Sequence, residues 1–364
     1  MVMVIALTAL MRHPELMKVS VLYAGLASPH AGWVAIDELA ELLLHYFDAE
    51  VLSPKQVPGP WLNRKLRPHQ VHFESLQTRG GDVLIVVARG PGDLALINAI
   101  PDCRKKFGRI YGFVTDSYFQ AGFVKETSLF DAITVTTHED LDFPKSRYGI
   151  AVHQLYQGAD CLTWVPRQQN ERDIDVIGFG RMPPSYQACF SKRFHAASSP
   201  YLYLHSPLGN QVGPQVQLER GMLFKLLQRT RISLAFHLYV EPQGERPRSM
   251  MVTSRWLESL LSGCIVVGRR PVSRMADEML FWPGATLELS ADPQAASDEL
   301  VNLLSRNETL AEQRRSNIFH ALGHHDWRYR IATMCRLFNL PLPQSLQDDM
   351  ARLQGLTASF APGV

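Results

Sequence analysis

The chain has 364 residues, 46% of them hydrophobic and 20% charged, with a formal net charge of +2. These values exclude wholesale disorder and fibrous structure, and the near-neutral balance gives no reason to expect a nucleic-acid partner. At this length two domains are expected, each able to bury its own core.

The chain opens on MVMVIALTALM, an apolar run too short to span a bilayer and without the basic flank of a secretory signal. Residues 1–16 read as a leader or an early start, because MKVSVLYAG from Met17 looks like a fresh beginning. Peripheral contact with the inner face of a membrane stays open, as do solvated-loop roles for the basic clusters Arg64–His69, Arg104–Lys106 and Gly268–Pro271. From Met17 onward, short β-branched runs alternate with helical ones, which predicts βα units and parallel sheets. Strands are expected at Val19–Gly25, Asp82–Ala88, Ile110–Asp116, Ala132–His138 and Ile150–Tyr156, with an amphipathic helix over Gly32–Phe47. The polar stretch Pro166–Asp173 reads as an interdomain connection. A second set of strands follows at Asp173–Gly180, Tyr201–Ser206, Arg231–Leu238 and Cys264–Arg270. The expected fold is α/β, with Rossmann-like domains at 1–165 and 166–340. A tail at 341–364 is expected to be loosely held, with one short helix over Gln344–Leu356. Cys103, Cys161, Cys189, Cys264 and Cys335 show no C-x-x-C or metal-ligand spacing, which suits a reducing, cytoplasmic compartment.

The most informative stretch is SRWLESLLSGCIVVGRRP, from Ser254 to Pro271. It predicts a helix that opens at Ser254, stops at Gly263 and feeds directly into a buried strand. Arg255 and Glu258 stand three residues apart on one helical face. Beside a crevice, the carboxylate would accept from ribose hydroxyls and the guanidinium would fork onto phosphate; on a solvated face the two would merely pair with each other. Just upstream, QGERPRSMM places Arg246 and Arg248 in a loop before the helix N-terminus, where dipole and cations together suit a diphosphate. In the first half, the loop after the first strand carries His30, a general-base candidate. Asp116, at the carboxyl end of a buried strand, is better placed for that role. The alternative for Asp116 is capping of the next helix through Ser117. His320, His324, His325 and Asp326 have a spacing that could hold a metal on one helical turn, although a structural role is favoured. No dinucleotide fingerprint, Walker A segment or nucleophile elbow occurs.

The stretch around Glu258 resembles the signature of glycosyl transferases of group 1, most closely the spore-protein and CgeB-like group. The resemblance extends in order and spacing from about Asp173 to Phe338, and includes FWPGATLELSADPQAASDELVNLL and the closing HHDWRYRI. It implies the two-domain GT-B architecture with a nucleotide-sugar cleft between the halves. It also implies that Glu258 binds the donor ribose beside Arg255, and that Gly180 and Arg181 face the diphosphate. HQLYQGAD (His153–Asp160) resembles the hinge into the second domain. The implied reaction moves a sugar from a nucleotide diphosphate sugar to a hydroxyl of a glycan, lipid, protein or small molecule, with arginines in place of a metal and no resident cofactor. One departure matters. Met250 stands eight positions before Glu258, where the wider family carries a second acid, so retaining and inverting outcomes are both open. A catalytically inactive nucleotide-sugar-binding subunit and a sugar-nucleotide epimerase are the alternatives.

Overall fold

A computed structural model describes residues 17–25, 31–58, 72–168, 171–205, 216–241, 249–306 and 310–361. In the first half, strands β1 (Val19–Tyr23), β2 (Glu50–Leu52), β5 (Gly81–Ala88), β6 (Phe107–Val114), β7 (Ala132–Val135) and β8 (Ala151–Gln154) form one sheet in the order β2-β1-β5-β6-β7-β8. A small antiparallel pair, β3 (Gln56–Val57) and β4 (His72–Phe73), stands apart from it. All neighbours in the large sheet are parallel. In the second half, β9 (Ile174–Gly178), β10 (Tyr203–His205), β11 (Thr230–Phe236), β12 (Ile265–Arg269) and β13 (Leu287–Glu288) form a second parallel sheet in the order β10-β9-β11-β12-β13.

The apolar runs explain both sheets. Val83 through Ala88 are buried without interruption, as a strand covered on both faces requires. Helix α1 (Val34–Phe47) presents Ile36, Leu39, Ala40 and Leu43 to the first sheet, where they meet Val19, Val21 and Ile85. In the second half, α2 (Pro184–Phe194), α3 (Val216–Gln228), α4 (Ser254–Leu261) and α5 (Pro293–Leu304) flank the sheet, with α6 (Leu310–His324) against α4. The full burial of Trp256, Leu257, Leu260 and Leu261 fixes α4, each side chain contributing about 1.5–3 kcal/mol. Gly263 closes that helix at φ +71, a left-handed conformation that favours glycine.

The chain ends where it began. Helix α7 (Trp327–Phe338) inserts Trp327, Ile331, Met334 and Phe338 into the core of the first sheet. The helix expected over Gln344–Leu356 is present as α8 (Gln344–Ala358), but the segment is not loosely held: Leu346 and Leu353 are fully buried, one in each half's core. Two leucines seven residues apart are a weak signal in sequence, yet they suffice where both cores already offer a surface.

Candidate functional site

In each sheet the strand order reverses beside its first strand, between β1 and β5 and between β9 and β11. Open parallel sheets offer ligand crevices at the carboxyl ends of strands at such points. At the second reversal lies a cavity of about 490 Å³, lined by Arg181 and Pro183 after β9, by Phe236, His237 and Tyr239 at the end of β11, and by Phe119 from beyond β6 of the first sheet. A larger cavity of about 820 Å³ sits at the opposite, amino end of β1, around Lys18, Asp48 and Arg79. Ligand geometry in parallel sheets favours the smaller one.

Gly180, at φ +66, turns the chain out of β9. A side chain there would be strained at this φ and would come within 2.6 Å of the Arg255 guanidinium, so glycine lets that guanidinium lie against the turn. Arg255 donates to the Arg181 carbonyl at 2.7 Å and lies over the Phe179 ring at 5.7 Å. Burial lowers its pKa to about 10, with Glu258 opposing and Arg181 reinforcing the shift, and it stays charged at neutral pH. Arg181 is exposed. The three residues therefore form one cationic lip at the carboxyl end of β9. Ser254 is the first residue of α4 and is half-buried.

Glu258 does not pair with Arg255, and it does not face solvent. It is 3% exposed, and its Oε1 accepts from Arg220 Nη1 at 2.6 Å. Arg220, on α3, also engages Glu38 of α1, so a buried acid–base–acid chain joins the two halves. The Trp164 indole donates to Glu38 Oε1 at 2.8 Å and stacks on Phe224, and the Arg220 guanidinium lies over the same Phe224 ring. Burial raises the pKa of Glu38, with Arg220 opposing. Burial alone would lower that of Arg220, but the two carboxylates outweigh it and the pKa is raised. Arg220, Glu38 and Trp164 carry no local signature. Glu38 and Arg220 are 182 positions apart, and only the fold joins them.

Asp116 lies just past β6, its N–H donating to the Arg89 carbonyl at 3.0 Å. Among the described residues its carboxylate accepts no hydrogen bond. Burial raises its pKa to about 7, and Arg181 from the second sheet is the cation that opposes the shift. The capping alternative is not found: Ser117 is fully buried and donates to Asp140 Oδ2 at 2.7 Å. Asp140 also accepts from Thr137 at 2.5 Å and from Ser249, ahead of α4, at 3.4 Å. This second polar junction between the halves was not foreseen either. His30, Arg246 and Arg248 lie outside the described residues.

The histidine-rich turn is occupied otherwise. His320 stacks on Trp282 at 4.5 Å, while Asp326 accepts from the Cys161 N–H at 2.8 Å and pairs with Arg328. Among the described residues no group of three or more His, Cys, Asp or Glu is placed to hold a metal ion. Nor is any described helix long and apolar enough to cross a membrane.

Residues 189–336 match a family model described as glycosyl transferase-like. The resemblance read from the sequence holds over that segment, which contains Glu258, Arg255 and the α4–β12 unit. No curated protein matches the chain. Among solved structures, TarM is similar at 12% identity and a TM-score of 0.47, over 71% of this chain and 54% of TarM, so the chain spans about half of TarM's length. A glycosyltransferase from Rickettsia africae is similar at 9% identity and a TM-score of 0.47, over 88% of this chain and 98% of that one. AviGT4, a glycosyltransferase involved in avilamycin A biosynthesis, is similar at 14% identity and a TM-score of 0.44, over 94% and 98%. None of these scores reaches 0.5. The α/β class rests on the chain's own topology, two parallel sheets in succession with Asp116 of one near Arg181 of the other, the arrangement expected of a GT-B fold.

Proposed function

We propose that the chain transfers a glycosyl group from a nucleoside diphosphate sugar to an acceptor hydroxyl. The observation that carries this reading is the cavity at the reversal between β9 and β11, whose cationic lip includes Arg181, the arginine that acts electrostatically on an underpaired carboxylate of the other half, Asp116. Arg181 and Arg255 would neutralise the leaving diphosphate and stabilise the charge that develops on it, without a metal or a resident cofactor. Asp116 would take the acceptor hydroxyl's proton, since a carboxyl with a pKa of about 7 is available as a base at neutral pH. Glu258 would accept from the donor ribose. Arg246, Arg248 and His30 remain candidates for the same cleft. In this reading 1–165 serves the acceptor and 166–340 the donor, and the protein works in the cytoplasm.

A thermal-shift panel of UDP, GDP, ADP and TDP tests the donor site. One preferred nucleotide should stabilise the wild type, and the shift should shrink in Arg181→Ala, whose side chain is exposed and whose loss leaves the core intact. If no nucleoside diphosphate moves the melting temperature, the reading fails. The inactive-subunit alternative retains one support, the apolar Met250 where an acid is expected; binding without turnover of any donor would favour it.

A further inference from the structure

The buried chain Glu38–Arg220–Glu258 leaves one feature unexplained by stability alone. Arg220 holds Oε1 of Glu258, whereas Oε2 accepts no hydrogen bond among the described residues. That oxygen keeps a narrow opening to solvent, the Glu258 side chain as a whole being 4% exposed. A carboxylate with one oxygen clamped and the other open is oriented for an incoming donor. The clamp itself is held from the other half. Glu38 on α1 takes the Nε and Nη2 edge of Arg220, leaving Nη1 for Glu258. Trp164 secures Glu38 in turn.

Resting on the proposed donor site, we infer that Arg220 is a positioning residue for ribose recognition: it aims the free oxygen of Glu258 at the ribose hydroxyls, and Glu38 of the first half sets its own orientation. Neither Arg220 nor Glu38 touches the nucleotide. Ribose selectivity is thus built across the junction of the halves, not within the donor half alone.

The test is the affinity ratio between the preferred nucleoside diphosphate and its 2′,3′-dideoxy analogue, measured calorimetrically for the full chain. The wild type should favour the ribonucleotide by about tenfold or more, the scale of one charge-assisted hydrogen bond. Arg220→Gln should bring the ratio to within about threefold of unity while keeping most of the dideoxy affinity, which depends on phosphate contacts. Arg220→Lys should restore part of the preference. Should Arg220→Gln not fold, Glu38→Gln and Trp164→Phe perturb the clamp more gently and should narrow the ratio in the same direction. A merely structural role lowers the melting temperature and leaves the ratio unchanged, and that outcome overturns the inference while the donor site stands. A wild type that binds nucleoside diphosphates without preferring the ribose form removes the role of Glu258 and the inference with it. One that binds none of them removes the proposed function as well.

Discussion

Two carboxylate clusters lie at the junction of the halves, and they could hardly differ more. Around Arg328, every group is matched. Asp326 is fully buried and accepts from the backbone N–H groups of Cys161 and Arg328, and the guanidinium also reaches Asp160 at 2.7 Å and Asp349 at 3.4 Å. Asp349 further accepts from Tyr46 at 2.6 Å. Around Asp116, the nearest counter-charge comes from an exposed arginine of the other sheet, and the carboxylate has no hydrogen bond among the described residues. Burial raises the pKa of both Asp326 and Asp116, but Asp326 has donors that hold its charged form in place, and Asp116 does not. Saturated pairing marks architecture, whereas an underpaired buried carboxylate within reach of a cavity-lining arginine marks a group kept available for chemistry.

The largest effect is expected from breaking the saturated cluster. Arg328→Ala would strand Asp326 and Asp160 without their cation and should cost about 3–5 kcal/mol of stability in urea denaturation. A loss below about 1 kcal/mol would show that the cluster does not join α7 to the hinge. Asp116→Asn should do the reverse: transfer should fall by about 10²–10⁴ while the fold is kept. The sign of its pH dependence follows from the raised pKa. Between the unfolded carboxyl's pKa of about 4 and the folded value of about 7, the folded state binds more protons at this group, so it makes stability fall as pH rises through that window. Asp116→Asn should remove that component of the slope and also the acid limb of kcat/KM near pH 7. A variant that melts parallel to the wild type from pH 4 to pH 7 would place the charge of Asp116 in water.

The same contrast explains what was legible in the sequence. Nine strands were readable as apolar runs, seven of them interior strands, because a strand covered on both faces writes its burial into consecutive residues; β8 and β10 are edge strands whose sequences are still apolar or β-branched enough to read. β2, β3, β4 and β13 were not: β3 and β4 are two residues each, and β2 and β13 are edge strands of three and two residues in which Val51 is 55% exposed and Glu288 faces solvent. The R-x-x-E helix and its glycine stop were readable because they are local. The pairing of its acid was not: the expectation weighed Arg255 against ribose, and the structure supplies Arg220, which lies 38 positions upstream on another helix. Asp116 could be read as a buried strand-end carboxylate, but whether it capped a helix or stood free depended on Asp140 taking Ser117, a contact over 23 positions. Composition and periodicity report burial; partners across the junction are set by the fold.

The smallest expected effect is also the most specific to the gap between the sheets. Among the described residues Arg181 is the cation that holds the Asp116 pKa down, and it reaches across from the second sheet. Arg181→Ala should therefore move the acid limb of kcat/KM to higher pH, because removing a nearby positive charge favours the protonated carboxyl. It should also weaken nucleoside diphosphate affinity by about tenfold, the scale of one charge-assisted phosphate contact. The two effects separate under salt. Raising ionic strength should shrink the limb shift if Arg181 acts through space on Asp116, since an exposed charge is screened over about 8–10 Å. A limb that stays where it was, with affinity alone reduced, would mean that donor and base sit in separate compartments and that the gap is wider in solution than the electrostatics of the folded chain require.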